Sequence, residues 1–178
     1  MSKVLVLLAE GCEEIEAVTV IDVLRRAEFS VTVAGLKPDV IRASRGVKLA
    51  PDTVIDAVNP LDFDAIVVPG GYGGVQNLMA DERALQAIRK LHSAGRWVCA
   101  ICAGPLVLEK AGVLAGRRAT CYPGVELKTT QRVDDRVVVD GRLITSQGPA
   151  TSMAFALEIV KQLGGADLAQ KVASALLV

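Results

Sequence analysis

The sequence predicts an α/β fold in which a mostly parallel sheet carries helices on both faces, and three observations predict it. Several short runs are apolar almost without a break: "KVLVLLA" near the start, "DAIVVP" at 64–69 and "WVCAI" at 97–101. A strand buried on both faces reads this way, whereas a strand with one wet face alternates. Between these runs lie longer stretches with apolar residues at helical spacing, the βαβ rhythm of a parallel sheet. Glycine-bearing breaks follow the runs, in "EGCEEIE", "PGGYGGVQN" and "ICAGP", where strands would hand over to helices. With 178 residues, 51% of them hydrophobic, the chain suits one globular domain over residues 1–178 with a sizeable core.

The elements follow in order. A strand at 3–9 leads into a helix at 14–28, whose first turn is acidic and therefore favourable to the helix dipole. A strand at 30–35 precedes short β pieces around 40–57, with "SRG" (Ser44 to Gly46) as a turn. Strand 64–69, a Gly-rich loop, helix 81–94, strand 96–101 and helix 103–111 come next. A β piece near 117–121 is followed by a hairpin, "RVVVDGRLITS", turning on Asp140 and Gly141. A helix at 150–163 and a short one from about Asp167 close the chain. No linker, repeat or low-complexity segment interrupts this order.

Composition excludes several function classes. Twenty basic and twenty acidic side chains cancel, and no basic stripe recommends a nucleic acid. The apolar run before Glu10 is only six residues long, too short for a signal peptide's core or a membrane span. Four cysteines without a secretory signal point to a reducing compartment, so the cytoplasm is the expected location.

In parallel sheets, ligands collect at the carboxyl ends of strands, and the three loops compete for that place. "GGYGGVQN" fails the dinucleotide pattern, because Gln76 stands where the third glycine belongs. Glu10, Glu13, Glu14 and Glu16 would also repel a pyrophosphate. Gly70 and Gly71 read either as a tight strand exit or as bare backbone whose amides can meet an anionic atom.

Cys102 closes a strand just before a helix, the corner of a nucleophile elbow with cysteine in place of serine. Unpaired amides and the helix dipole there are expected to lower a thiol from ~8.5 toward the reactive range. Cys99 reads as a core thiol. "CAIC" is not a redox pair, since strand residues three apart point to opposite faces ~10 Å apart. A zinc site from Cys99, Cys102 and Cys121 fails on the same geometry and has no histidine to support it, so no metal is expected. The single histidine, His92, reads as a solvated helix terminus, which leaves a Cys–His pair without its base. Glu13 and Glu14 suit the helix dipole. Glu16, flanked by Ile15, Ala17 and Val18, is the acid that can turn inward and share a proton with Cys102.

Four blocks, "GCEEIEAVTVIDVLRRA", "VVPGGYGGVQNL", "AICAGPLVL" and "SQGPATSMAFALEIV", resemble the ThiJ/PfpI superfamily, in the branch of the Parkinsonism-associated deglycase. The resemblance spans almost the whole chain. It implies a flavodoxin-like three-layer α/β sandwich, a homodimer and no cofactor. It also implies Cys102 as nucleophile and redox-sensitive cysteine, with Glu16 hydrogen-bonded to it. The amides of Gly71 and Ala103 would form an oxyanion pocket beside Gly70, and Arg45 and Arg26 would lie near the site and the dimer contact. Two positions depart from the pattern. Ala103 replaces the histidine that follows the cysteine in the protease-like branch, which speaks against peptidase activity. Tyr122 stands where the deglycase branch often has histidine, and a phenol is a poor base at neutral pH.

Two function classes follow. One is an enzyme on reactive carbonyls, such as methylglyoxal or glycation adducts. The other is a redox sensor or chaperone-like protein whose Cys102 oxidises to sulfinate.

Overall fold

The computed structural model describes residues 1–178. The chain runs β1 (Lys3–Leu8), α1 (Glu14–Arg26), β2 (Ser30–Gly35), β3 (Ile41–Arg42), β4 (Lys48–Leu49), β5 (Thr53–Val54), β6 (Ala65–Val68), α2 (Tyr72–Ala80), α3 (Glu82–Ser93) and β7 (Trp97–Ile101). It continues through α4 (Pro105–Lys110), β8 (Arg118–Ala119), β9 (Gln131–Arg132), β10 (Val137–Asp140), β11 (Leu143–Ser146), α5 (Ser152–Gly164) and α6 (Ala166–Ala175).

Seven strands form the main sheet in the order β10-β11-β7-β6-β1-β2-β5. All neighbours are parallel except the β10–β11 hairpin at one edge. Period-two alternation explains why the apolar runs are continuous. In β1, Leu5 and Leu7 face a core shared with α2, α3 and α4. Val4, Val6 and Leu8 face a second core shared with α1, α5 and α6. Both faces are covered, which gives the flavodoxin-like α/β sandwich.

The chain leaves β1 for β2 on one side and returns to β6 on the other. The carboxyl ends of β1 and β6 therefore flank the topological switch point, where open α/β sheets bind ligands. The loops after β1, β6 and β7 all open there.

Three expectations need correction. The Gly-rich loop is helical from Tyr72 to Ala80. Glycine is a poor helix former, but a Cβ on Gly74 would lie 2.8 Å from the backbone of Cys12. Close packing of α2 on the β1–α1 loop thus requires the bare residue and overrides propensity. The hairpin turns one residue later than expected: Asp140 pairs with Leu143, leaving Gly141 and Arg142 as the loop. Gly141 supplies the positive φ (+61°) that this tight turn demands. The helix read at 103–111 begins only at Pro105, because Cys102, Ala103 and Gly104 make the corner itself.

Candidate active site

The corner after β7 is strained. Cys102 has φ +63°, a left-handed conformation that side chains rarely adopt. Its N–H donates to the Ser146 carbonyl at 2.9 Å, and its carbonyl accepts from the Tyr122 N–H at 2.9 Å. Gly104 lets the turn close, since a Cβ there would lie 2.5 Å from the Val68 carbonyl. A glycine would adopt the Cys102 conformation at less cost. Keeping a side chain at a strained strand exit points to a use for the thiol.

Glu16 lies in the first turn of α1 and is fully buried. The Glu13 side chain caps that turn by accepting the Glu16 N–H at 2.8 Å, and the Glu13 N–H donates to the Gly70 carbonyl at 2.9 Å. These bonds fix α1 against the exit of β6. The Glu16 Oε2 accepts from the Gly70 N–H at 2.7 Å, while Oε1 has no oxygen or nitrogen partner. Gly70 sits between the two reactive groups: a Cβ there would be 2.6 Å from the Cys102 Cβ and 2.7 Å from Glu16 Oε2. Gly71, at φ +85°, is held against Gly11, Cys12 and Glu13, where no side chain fits.

Burial pushes the Glu16 carboxyl up to about 7, against the pull of the neighbouring Cys102 thiol and the Gly70 N–H. Burial, then the Glu16 charge and hydrogen bond, pushes the Cys102 thiol up to about 12, while the Ala103 and Gly71 amides pull it down. This corrects the expectation of a lowered thiol: the corner by itself does not outweigh burial beside a carboxylate. Above about 7 the two groups together hold one proton. When that proton sits on Glu16, the charge opposing the thiolate is gone, and two amides remain to stabilise the sulfur.

The structure brings Cys102, Glu16, Gly70, Gly71 and Ala103 together. Tyr122 joins the corner through its backbone; its half-exposed ring lies over Gly148, where a Cβ would come 3.1 Å from the ring. Arg45 is exposed, and its guanidinium reaches only the Ser44 carbonyl at 3.5 Å. Arg26 is not brought to the thiol within the chain. It ends α1, ten residues and ~15 Å beyond Glu16, and pairs with Asp22 at 2.8 Å. His92 closes α3, whose end faces the start of β7, so it lies at the opposite edge of the sheet from Cys102. Cys12, Cys99 and Cys121 are buried, and Cys102 alone is partly exposed. No three His, Cys, Asp or Glu side chains converge so as to hold a metal ion.

One contributor was hidden in the sequence. Glu14 is more than a dipole partner: its carboxylate accepts from the Ser44 hydroxyl at 2.8 Å and the Arg45 N–H at 2.7 Å. Burial opposes its charge, yet these bonds hold it below the ordinary carboxyl value. Thirty residues separate the partners, and no local pattern announces the contact.

Comparison with known proteins agrees with this geometry. A sequence model of the DJ-1/PfpI family matches residues 2–162. Protein dj-1beta of Drosophila melanogaster is 44% identical over 184 residues, covering 100% of this chain and 98% of the relative. Its crystal structure superposes with a TM-score of 0.96 over 100% of this chain and 99% of that one. A protein of Pyrococcus abyssi named as a deglycase is 37% identical over 165 residues, 90% of this chain and 99% of the relative. The oxidised form of Toxoplasma gondii DJ-1 is 36% identical, with a TM-score of 0.95 over 99% of this chain and 98% of that one. With the family model matched over residues 2–162 and 44% identity along the full length of a DJ-1 relative, the chain belongs to the DJ-1/PfpI family.

Proposed function

We propose that this chain is a thiol-dependent enzyme acting on small reactive carbonyls, such as methylglyoxal or early glycation adducts. The observation that carries the reading is the Cys102–Glu16 pair: a buried carboxyl with one unpartnered oxygen beside a thiol on a strained corner. The deglycase name of the Pyrococcus relative supports the same substrate class.

With an α-ketoaldehyde, the Cys102 sulfur forms a bond to the aldehyde carbon while its proton passes to the Glu16 carboxylate. The former carbonyl oxygen becomes an alkoxide facing the Gly71 and Ala103 amides. Glu16 returns that proton to the alkoxide. As a carboxylate again, it carries the proton of the former aldehyde carbon to the neighbouring carbon through an enediol. The hydroxyl proton ends on the neighbouring oxygen, leaving the thioester of a hydroxy acid. Water cleaves the thioester, releasing a hydroxy acid and restoring the thiol, so no oxidant or cofactor is consumed. Tyr122 is a poor base at neutral pH, which leaves the proton transfers to Glu16. The reading takes the protein as a cytoplasmic homodimer. The exposed apolar side chains of Ile15, Val18 and Val47, on α1 and beside the Ser44–Gly46 turn, support a second copy as the cover.

The test is steady-state methylglyoxal consumption by wild type, Cys102→Ser and Glu16→Gln. Wild type should turn over many equivalents, and each variant should lose most of the rate. Consumption that stops at one equivalent per Cys102 would defeat the enzyme reading. It would leave the alternative, in which peroxide oxidises Cys102 to sulfinate and the protein acts as a sensor or chaperone-like protectant. The partial exposure of this thiol alone supports that second reading.

A further inference from the structure

At the amino-terminal edge of the sheet, opposite Cys102, the starts of β6, β7 and β11 and the last turn of α5 line an open polar cleft of about 380 Å³. Its charged lining is Asp64, Arg96 and Arg142, and its wall includes Trp97 and Gln162. Asp64 is fully engaged: one oxygen accepts from the Lys3 N–H at 3.0 Å and the other from Arg96 at 2.8 Å. Arg142 is different. It enters no ion pair, and its guanidinium carbon lies over the Trp97 ring, 4.8 Å from the ring centre. The two arginines therefore exceed the cleft's one acid by one charge.

The indole draws the exposed guanidinium over its face, and no carboxylate or carbonyl of the chain takes up the guanidinium's N–H donors. An arginine so held loses little entropy when it takes up a bidentate oxyanion. The carbonyl end of α5 also favours a cation here. That preference alone would be met by a bond to a carbonyl, whereas Arg142 instead keeps its donors unspent.

We propose that this cleft binds a small oxyanion, a phosphate monoester or a carboxylate, gripped by the stacked Arg142 and assisted by Arg96. The cavity exceeds a bare anion, so the natural ligand carries the oxyanion on a small polar body that fills the remainder. The site is independent of Cys102 chemistry, being at the other end of the strands.

Trp97 is the chain's single tryptophan, so its fluorescence reports this cleft directly. The experiment titrates wild type, Arg142→Gln and Cys102→Ser with inorganic phosphate and with acetate. Ionic strength is held constant with sodium chloride, because screening alone would mimic binding. Wild type and Cys102→Ser should show the same saturable change. Arg142→Gln, checked for an unchanged fold by circular dichroism, should bind at least about tenfold more weakly, as loss of a charged hydrogen-bond partner implies. Melting temperature should rise with the ligand in wild type and stay flat in the variant. Saturation by phosphate assigns the site to phosphate esters, and saturation by acetate alone assigns it to carboxylates. No saturation by either, or equal titrations in wild type and Arg142→Gln, would overturn the site.

Discussion

At Glu16, burial decides the chemistry. Its carboxyl is raised to about 7, so the ionised fraction that can accept the Cys102 proton grows through neutrality. Methylglyoxal turnover should therefore rise with pH through about 7, and Glu16→Gln should abolish that limb along with most of the rate. The same shift sets stability. Between the ordinary 4.5 and about 7 the folded protein holds a proton that the unfolded chain has released. Stability consequently falls as pH rises across that window, and the loss is complete above it. Denaturant melts at pH 5 and pH 8 should show wild type losing stability relative to Glu16→Gln, on the order of 3 kcal/mol. An equal pH response in the two proteins would mean that Glu16 is ordinary. Gly70 admits a sharper test. In Gly70→Ala the new methyl would strike the Cys102 Cβ and the Glu16 carboxyl. Turnover should vanish and stability drop by about 1–3 kcal/mol, the cost of overpacking a close site.

The helix α1 and the β3–β4 hairpin act as one unit through Glu14. Its carboxylate holds the Ser44–Arg45 turn, while Ser44 also donates its N–H to the Cys12 carbonyl at 2.8 Å. Glu14→Ala should free that turn without altering the α1–β6 contact made by Glu13 and Gly70. Hydrogen exchange should accelerate at residues 43–47, with no comparable change at 14–20 and with iodoacetamide labelling of Cys102 unchanged. Labelling should in any case favour Cys102 over the other three thiols, because exposure separates it from them even where intrinsic acidity does not.

In the whole molecule, the two cores leave an apolar strip uncovered. Ile15 and Val18 stand on the outer face of α1 at helical spacing, and each is about half exposed or more: 55% and 45%. No helix of this chain covers them, so a second copy is the proposed cover. Light scattering at micromolar concentration should give a dimer, and Val18→Glu should shift it to monomer by placing a charge in the contact. A wild-type monomer would refute the assembly. No helix is long and apolar enough to cross a membrane.

The sequence by itself determined a mostly parallel sheet covered by helices and the succession of its longer strands, and it singled out Cys102 and Glu16 as the pair to examine. Short unbroken apolar runs ended by glycine-bearing breaks read as strands buried on both faces, and Cys102 and Glu16 each stand out from the bland role at their position. Four sequence blocks also fixed the family. Only the tertiary structure decided the rest, because those properties belong to contacts between distant segments. The helix at Tyr72–Ala80 forms against local propensity, since Gly74 must pack on Cys12. The raised thiol of Cys102 follows from burial beside Glu16, not from the corner that the sequence displays. Glu14 becomes a tether, and Arg142 a stacked and unpaired cation, through partners thirty and forty-five residues away. Periodicity records which face a residue turns to the core; it cannot record which charge or ring meets it there.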